Sequence, residues 1–219
     1  MLSYKQKAYE IIKEKIITCE LAPSSVIDLN SLMEEIGTSR TPIRDAISAL
    51  EQENLVVVLP RRGVLVSPIP LDEVYHIYMI RHVVEPMVAH LVTPIVNEAE
   101  LRHFAAIFSD PQTDNMTIFK ADRDFHQYLI NMSGNPYLIR MMDAVLANNL
   151  RIVVLGASLP QRLSHSNKEH LDIIDALLSR DQAAAKKTMA FHIGKAKESA
   201  INITQAPVWE EDDESNIGS

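Results

Sequence analysis

The stretch Gly37-Thr38-Ser39-Arg40-Thr41-Pro42-Ile43-Arg44-Asp45-Ala46-Ile47 decides the reading of this chain. A glycine fit to stop a helix is followed by small hydroxyl residues and then by a new amphipathic run. That order is the turn and second helix of a helix-turn-helix. Arg40 and Arg44 stand four apart, one helical turn, so both can point the same way. Arginine forks read guanine edges in the major groove, and hydroxyls and amide ends hold phosphates. Ser39, Arg40, Thr41 and Arg44 are therefore the candidate DNA contacts. Thr41 is expected to cap the helix, with Pro42 at its first position. The bland alternative pairs the arginines with Asp45 or Glu51 on a solvated face.

Working outward, Leu29, Leu32, Met33 and Ile36 mark a helix over 29–36, and Ala8, Ile12, Lys15 and Ile16 mark one over 5–18. Ala22-Pro23-Ser24-Ser25 separates them. Downstream, Ile43, Ala46, Ile47 and Leu50 form the apolar stripe of the decisive helix. Leu55–Leu59 then changes to strand character, Pro60-Arg61-Arg62-Gly63 is a turn, and Val64–Val66 is the return strand. Three helices and a hairpin make a winged helix-turn-helix over 1–67. Arg61, Arg62 and Gly63 sit at the wing tip, for phosphate or minor-groove contact; the plain alternative is turn solubility.

Ser67-Pro68-Ile69-Pro70 is stiffened by two prolines, and 68–70 are expected to be a linker. Beyond it only helical patterns occur: 71–92, 98–109, 115–132, a pair over 136–156, 161–179 and 181–201. The expected fold is mainly α, with the winged head followed by an all-helical domain over 71–204. The tail 205–219, with Glu210-Glu211-Asp212-Asp213-Glu214, is expected to be disordered.

Bulk properties narrow the function class. Hydrophobic residues make up 47% of 219, enough for a substantial core. No apolar run approaches the roughly 20 residues that span a bilayer. The single cysteine, Cys19, excludes a disulfide framework and a cysteine-based zinc motif, and is read as an inert small hydrophobe. The start lacks a secretory apolar segment, so a cytoplasmic location and no membrane partner are expected. Net charge is −8, yet residues 1–66 hold eight Lys/Arg against nine Asp/Glu, and the excess acidity lies in 67–219. A local basic face on such a chain still binds DNA, with modest nonspecific affinity.

Four ionisable residues fall on apolar helix faces. Asp122 and His126 are four apart and flanked by Phe119 and Leu129; His170 runs with Ile173, Ile174 and Leu177; His192 runs with Met189, Ile193 and Ala196. Buried ionisable groups are costly unless paired or metal-bound. Three imidazoles and a carboxylate suit a divalent transition ion (zinc, nickel, manganese or iron) with positions left open. Taken singly, a histidine on an apolar face is more often a core residue bonded to a carbonyl, the Asp122/His126 pair alone reads as well as a side-chain hydrogen bond, and His76, His82, His90, His103 and His165 show that histidine alone is no signal. Arg81 lies in the apolar stripe Val74, Ile77, Tyr78, Val84, Val88 and Val92. It either pairs with Glu85 or clamps a carboxylate in a cavity. Asn148, Asn149 and Arg151 are weaker cavity candidates, which a solvated face explains as well.

These residues carry a resemblance. Leu29–Gly37, Thr38–Ile47, Leu50-Glu51 and Pro60–Gly63 resemble the GntR family of bacterial transcription regulators. Arg81 with Glu85, Asp122-Arg123-Asp124-Phe125-His126, Ser133-Gly134-Asn135-Pro136, Glu169-His170 and His192 are similar to the FCD domain of its FadR subgroup. The resemblance covers about 5–200. It implies a homodimer on a palindromic operator and an effector domain of six or seven helices. It also implies a metal on Asp122, His126, His170 and His192, with a small organic acid beside it, held by Arg81. One departure stands out: the family's Gly-x-Leu-x-Pro-Gly run reads Cys19-Glu20-Leu21-Ala22-Pro23-Ser24, so that turn is expected to take another geometry. The resulting expectation is a ligand-responsive DNA-binding regulator, a repressor rather than an enzyme. Its rivals are a regulator answering to metal alone and a metalloenzyme that kept a DNA-binding head.

Overall fold

A computed structural model describes residues 3–156 and 160–205; the acidic stretch 210–214 lies outside the described residues. The head begins with α1 (Tyr4–Ile17), capped by Ser3, whose hydroxyl accepts from the Gln6 amide at 3.2 Å. Its buried Ala8, Ile12 and Ile16 recur at helical spacing and face α2 (Leu29–Ile36) and α3 (Arg40–Gln52). Gly37 ends α2 at φ 70, where a side chain would be strained. The cap of α3 is Ser39, in extended conformation, and not Thr41. The helix thus starts two residues earlier than expected, and Pro42 sits third, still among the amides that need no helical partner.

The wing is a three-stranded antiparallel sheet in the order β1-β3-β2, from β1 (Val26–Ile27), β2 (Val56–Leu59) and β3 (Gly63–Val66). Leu59 pairs with Gly63 across the turn, and Val26 pairs with Leu65. The two-residue β1 was not anticipated, because it is too short to show alternation. The turn before it corrects a second expectation. Cys19 and Ser24 adopt φ 57 and 65, the left-handed conformation that glycine takes without cost. The geometry is kept without either glycine, held by the Ser24 amide donating to Val66 O at 3.0 Å.

The second part contains α4 (Leu71–Val92), a 3-10 turn (Thr93–Ile95), α5 (Glu98–Ser109), α6 (Asn115–Met132), α7 (Pro136–Leu155), α8 (Pro160–Leu178) and α9 (Gln182–Gln205). The region 136–156 is one helix and not a pair; Asn135 caps it by accepting from the Tyr137 and Leu138 amides, and Pro136 fits its first position. The long helices α4 and α9 pack along each other, and α6 lies against α7. Their shared core includes Val74, Tyr78, Val88, Phe125, Leu129, Met142, Ile173, Leu177, Met189 and Ile193. The head has its own core around Ile12, Ile16, Ile43, Leu50 and Leu55. Phe119 of α6 and Ala147 and Leu150 of α7 join that second cluster. The helical part therefore supplies one wall of the head's core.

No described helix is long and apolar enough to cross a membrane.

Candidate functional site

On the head, Ser39, Arg40, Thr41 and Arg44 are all exposed along the first turns of α3. Between α3 and the wing runs an open groove, lined among others by Arg40, Arg44, Glu51, Pro60, Arg61 and Gly63. Arg62 is exposed at the same turn but does not line it. Arg61 and Gly63 have φ 66 and 104, which turn the wing tip sharply. Among the described residues Arg40 and Arg44 form no ion pair; Glu51 instead accepts the Val58 amide at 3.2 Å. The face is solvated, but among the described residues the pairing with Asp45 or Glu51 is not formed. Three arginines therefore share one groove with their charges open to a polyanion.

In the helical part, burial sorts the histidines. His126, His170 and His192 are each 1% exposed, whereas His76, His82, His103 and His165 lie on the surface and His90 is partly covered. One donor atom each from Asp122, His126, His170 and His192 converges so that all four lie within 4.8 Å of one another. His126 Nε2 and His170 Nε2 are 3.3 Å apart, and His170 Nε2 is 3.3 Å from Asp122 Oδ2. That spacing is about the edge of a tetrahedron around an ion with bonds near 2.0 Å.

The outer contacts orient these rings. His192 Nδ1 donates to Glu169 Oε2 at 2.8 Å, so its Nε2 is left bare, and that buried atom finds no partner among the described residues. His126 Nδ1 lies 2.5 Å from Glu85 Oε2. Glu85 also binds Arg81, whose Nε and Nη2 donate to its two oxygens at 2.5 and 3.3 Å. His170 stacks on Phe108, with ring centroids 4.4 Å apart. The four donors thus come from α6, α8 and α9, and α4 braces them through Glu85. An orphaned nitrogen and oriented rings meeting a carboxylate are a donor set that fits a divalent transition ion.

Charge follows this geometry. Burial pushes the Asp122 carboxyl up, but His170, His126 and His192 more than reverse this and hold it well below the usual range. Glu85 is likewise pushed up by burial and pulled down by Arg81 and His126, to about 2. Burial lowers His170, opposed by Asp122. Burial, and then the neighbouring His170 and His126, drive His192 well below its ordinary value. The carboxylates stay ionised and these two imidazoles favour their neutral, ligating form.

A cavity opens beside this cluster. Arg81, Asp122, His192, Asn149, Tyr78, Ser166 and Ser199 give it polar walls, and Ile118, Phe119, Ile152, Val153 and Leu163 line it with hydrocarbon. Asp122 keeps 13% side-chain exposure there. Arg81 forms the anticipated pair with Glu85, and it also lines the cavity.

Asn148 corrects its assignment. It does not line the cavity; its Nδ2 donates to Ala144 O at 3.1 Å and to Glu53 O of the head at 3.4 Å. Asn149, one residue on, is the cavity residue. Nor are Asn148, Asn149 and Arg151 on a solvated face: all three are buried. Cys19 is half-buried, with Sγ 3.7 Å from Arg151 O, and burial raises its thiol. Two residues were missed in these roles, the bracing of His126 by Glu85 and of His192 by Glu169. The adjacency Glu169-His170 was visible, but the carboxylate serves the histidine of a different helix.

With this geometry in hand, comparison with known proteins identifies the class. Residues 4–66 match the gntR family of bacterial regulatory proteins, and residues 76–195 match the FCD domain. The chain belongs to the GntR family of bacterial transcriptional regulators and carries an FCD domain. It is similar to the HTH-type transcriptional repressor RspR of Escherichia coli K12, at 26% identity over 91% of this chain and 90% of that protein. It is also similar to the Uxu operon regulator of Haemophilus influenzae, at 24% identity over 76% and 70%. A GntR transcriptional regulator of Rhodococcus sp. RHA1 shares the fold, with TM-score 0.82 and 18% identity over 92% of this chain and 99% of that one. E. coli McbR/YncC superposes with TM-score 0.79 at 20% identity, over 89% and 95%. RspR and the Uxu operon regulator are named as regulators of transcription, which supports the regulator reading over the metalloenzyme one.

Proposed function

We propose that this regulator is a metal-dependent, ligand-responsive repressor of the FadR subgroup, acting as a homodimer on a palindromic operator. The observation that carries the reading is the convergence of four buried donors within 4.8 Å at the wall of a cavity that Arg81 also lines. Asp122, His126, His170 and His192 hold the ion, which supplies a Lewis-acid anchor for a small organic acid when bound. Arg81 adds positive charge beside it, and the hydrocarbon wall suits the acid's carbon body. Arg40, Arg44 and Arg61 enter the operator, with Ser39, Thr41, Arg62 and Gly63 holding backbone phosphates. Repression is supported by the name of the relative RspR.

The dimer reading rests on α4, which carries two apolar faces. One is in the core. The other presents Tyr75, Met79, Val83, Met87 and Leu91 at four-residue spacing, with Met79, Val83 and Leu91 more than half exposed. An uninterrupted exposed stripe of this length marks an interface, and a second copy of α4 is its natural complement. In a dimer the two heads must match half-sites about one DNA turn apart, so an effector that changes their spacing changes affinity.

Native mass spectrometry of the purified chain tests the reading: two chains with one ion each are expected, with a co-purified acid as a further mass. Monomers without metal would refute it. A second reading, metal alone as the signal, is favoured by one observation: Glu85 already occupies two of Arg81's nitrogens. A gel-shift titration separates the two. If zinc alone moves operator affinity and added carboxylic acids change nothing further, the metal is the signal.

A further inference from the structure

We propose that Arg151 is a positioning residue that carries the state of the cavity to the reading head, by clamping both ends of the wing with the help of Asn148. The proposal rests on the cavity being the sensor, as argued above.

The observations begin with α7, which has two occupied faces. Asn149, Ile152, Val153 and Gly156 line the cavity at helical spacing. The adjoining face is docked on the head: Ala147 and Leu150 belong to its core. Between them, Arg151 Nη2 donates a hydrogen bond to Ser67 O, and Nη1 donates to Asn148 Oδ1 at 2.9 Å. Asn148 Nδ2 in turn reaches Glu53 O at 3.4 Å. Glu53 ends α3 and Ser67 follows the last wing strand. Everything between these two anchors is the wing, with Arg61 and Arg62 at its tip. The ends of that segment are also tied to each other, since the Ser67 amide donates to Leu55 O at 3.0 Å.

A purely space-filling role fits Arg151 poorly. The residue is 1% exposed, and among the described residues it makes no ion pair. A methionine would fill similar volume without burying a charge. The fork is instead spent on one oxygen of the head and one of its own helix, which is what a joint between two parts needs. The cavity also lies close to the joint: Phe119 lines the cavity and belongs to the head's core, and Val153 and Leu163 line it while packing on that core. A change in the cavity that shifts α7 by a fraction of an ångström has to be absorbed at Ser67 and Glu53, because packed interiors do not deform freely.

The test is backbone-amide hydrogen exchange across 53–67 in the full chain, under two perturbations of the cavity. The first is zinc loading of metal-stripped protein. The second is Ala196→Leu, which fills the cavity from the α9 wall and needs no metal. In the wild-type background each is expected to change exchange near Leu55 and Ser67 by about fivefold or more. In Arg151→Met this response disappears while zinc stoichiometry and exchange in α8 stay as before. Arg151→Lys, which keeps a donor for Ser67 O, restores part of it. A head response that survives intact in Arg151→Met overturns the proposal, and so does a wild-type head that answers neither perturbation. If zinc fails to bind but Ala196→Leu is still felt at 53–67, only the metal reading falls. Should Arg151→Met not fold, Asn148→Ala removes the second anchor and carries the same comparison.

Discussion

The head and the helical bundle treat charge in opposite ways. Arg40, Arg44 and Arg61 stand in an open groove without carboxylate partners among the described residues, whereas Arg81, Glu85 and three histidines are interlocked out of water, with Asp122 beside them at the cavity wall. An exposed arginine contributes little to folding and keeps its side-chain freedom until a phosphate or a base edge arrives. A buried cluster is ordered beforehand and costly to leave unsatisfied. The head thus takes its specificity from what it will meet, and the bundle from what it already holds.

Substitutions should expose that contrast. The largest effect is expected at the cluster: His126→Ala should lower zinc affinity about 100-fold or more and also lower stability, because it leaves Glu85 a buried partner short. Metal analysis and thermal melting measure both, and unchanged metal content would end the site assignment. Next, Glu169→Gln leaves all four donors but weakens the carboxylate that orients His192. A 10- to 100-fold loss of zinc affinity is expected with the fold intact, read by competition with a chelator.

On the head the pattern should invert. Arg44→Ala is expected to cost operator binding about 1–3 kcal/mol while changing stability by less than about 0.5 kcal/mol. A melting shift as large as that of His126→Ala would mean the two regions do not differ as described.

Acid sharpens the comparison further. His170 and His192 are held below the ordinary histidine value by burial, so below about pH 6.5 the unfolded chain takes up protons that the fold refuses. Stability of the metal-free protein should therefore fall as pH drops from 7.5 to 5.5, in denaturant titrations. A metal-free protein equally stable at both values would contradict that burial. The smallest effect concerns the turn after α1: Ser24→Gly should stabilise the chain by about 0.5–1 kcal/mol, since it relieves a left-handed serine.

Much of the architecture was legible because each boundary carries its own local chemistry. Asn97, Asp114 and Asn135 cap α5, α6 and α7 through their side-chain oxygens, at the breaks the periodicity marks. The four donors were legible because each stands out as ionisable on an apolar stripe. What could not be read depends on how the two parts dock. Asn148 and Asn149 differ by about 100° around one helix. Only the head's position decides which of them meets Glu53 and which meets the cavity. The second contact of Glu85, and the reach of Glu169 from α8 to a ring on α9, are tertiary for the same reason. The glycine-like turn at Cys19 and Ser24 shows the converse: the chain path is imposed by the contact with Val66, against the preference of the residues that follow it.

Of the four donors, only Asp122 and His192 border the cavity; His126 and His170 are sealed behind them by α4 and α5. An ion seated there has its exit through the chamber that an acid would occupy. If the proposed metal and acid both bind, the acid would act as a stopper, and the residence of the metal, not only its equilibrium occupancy, would become a quantity that the small molecule controls.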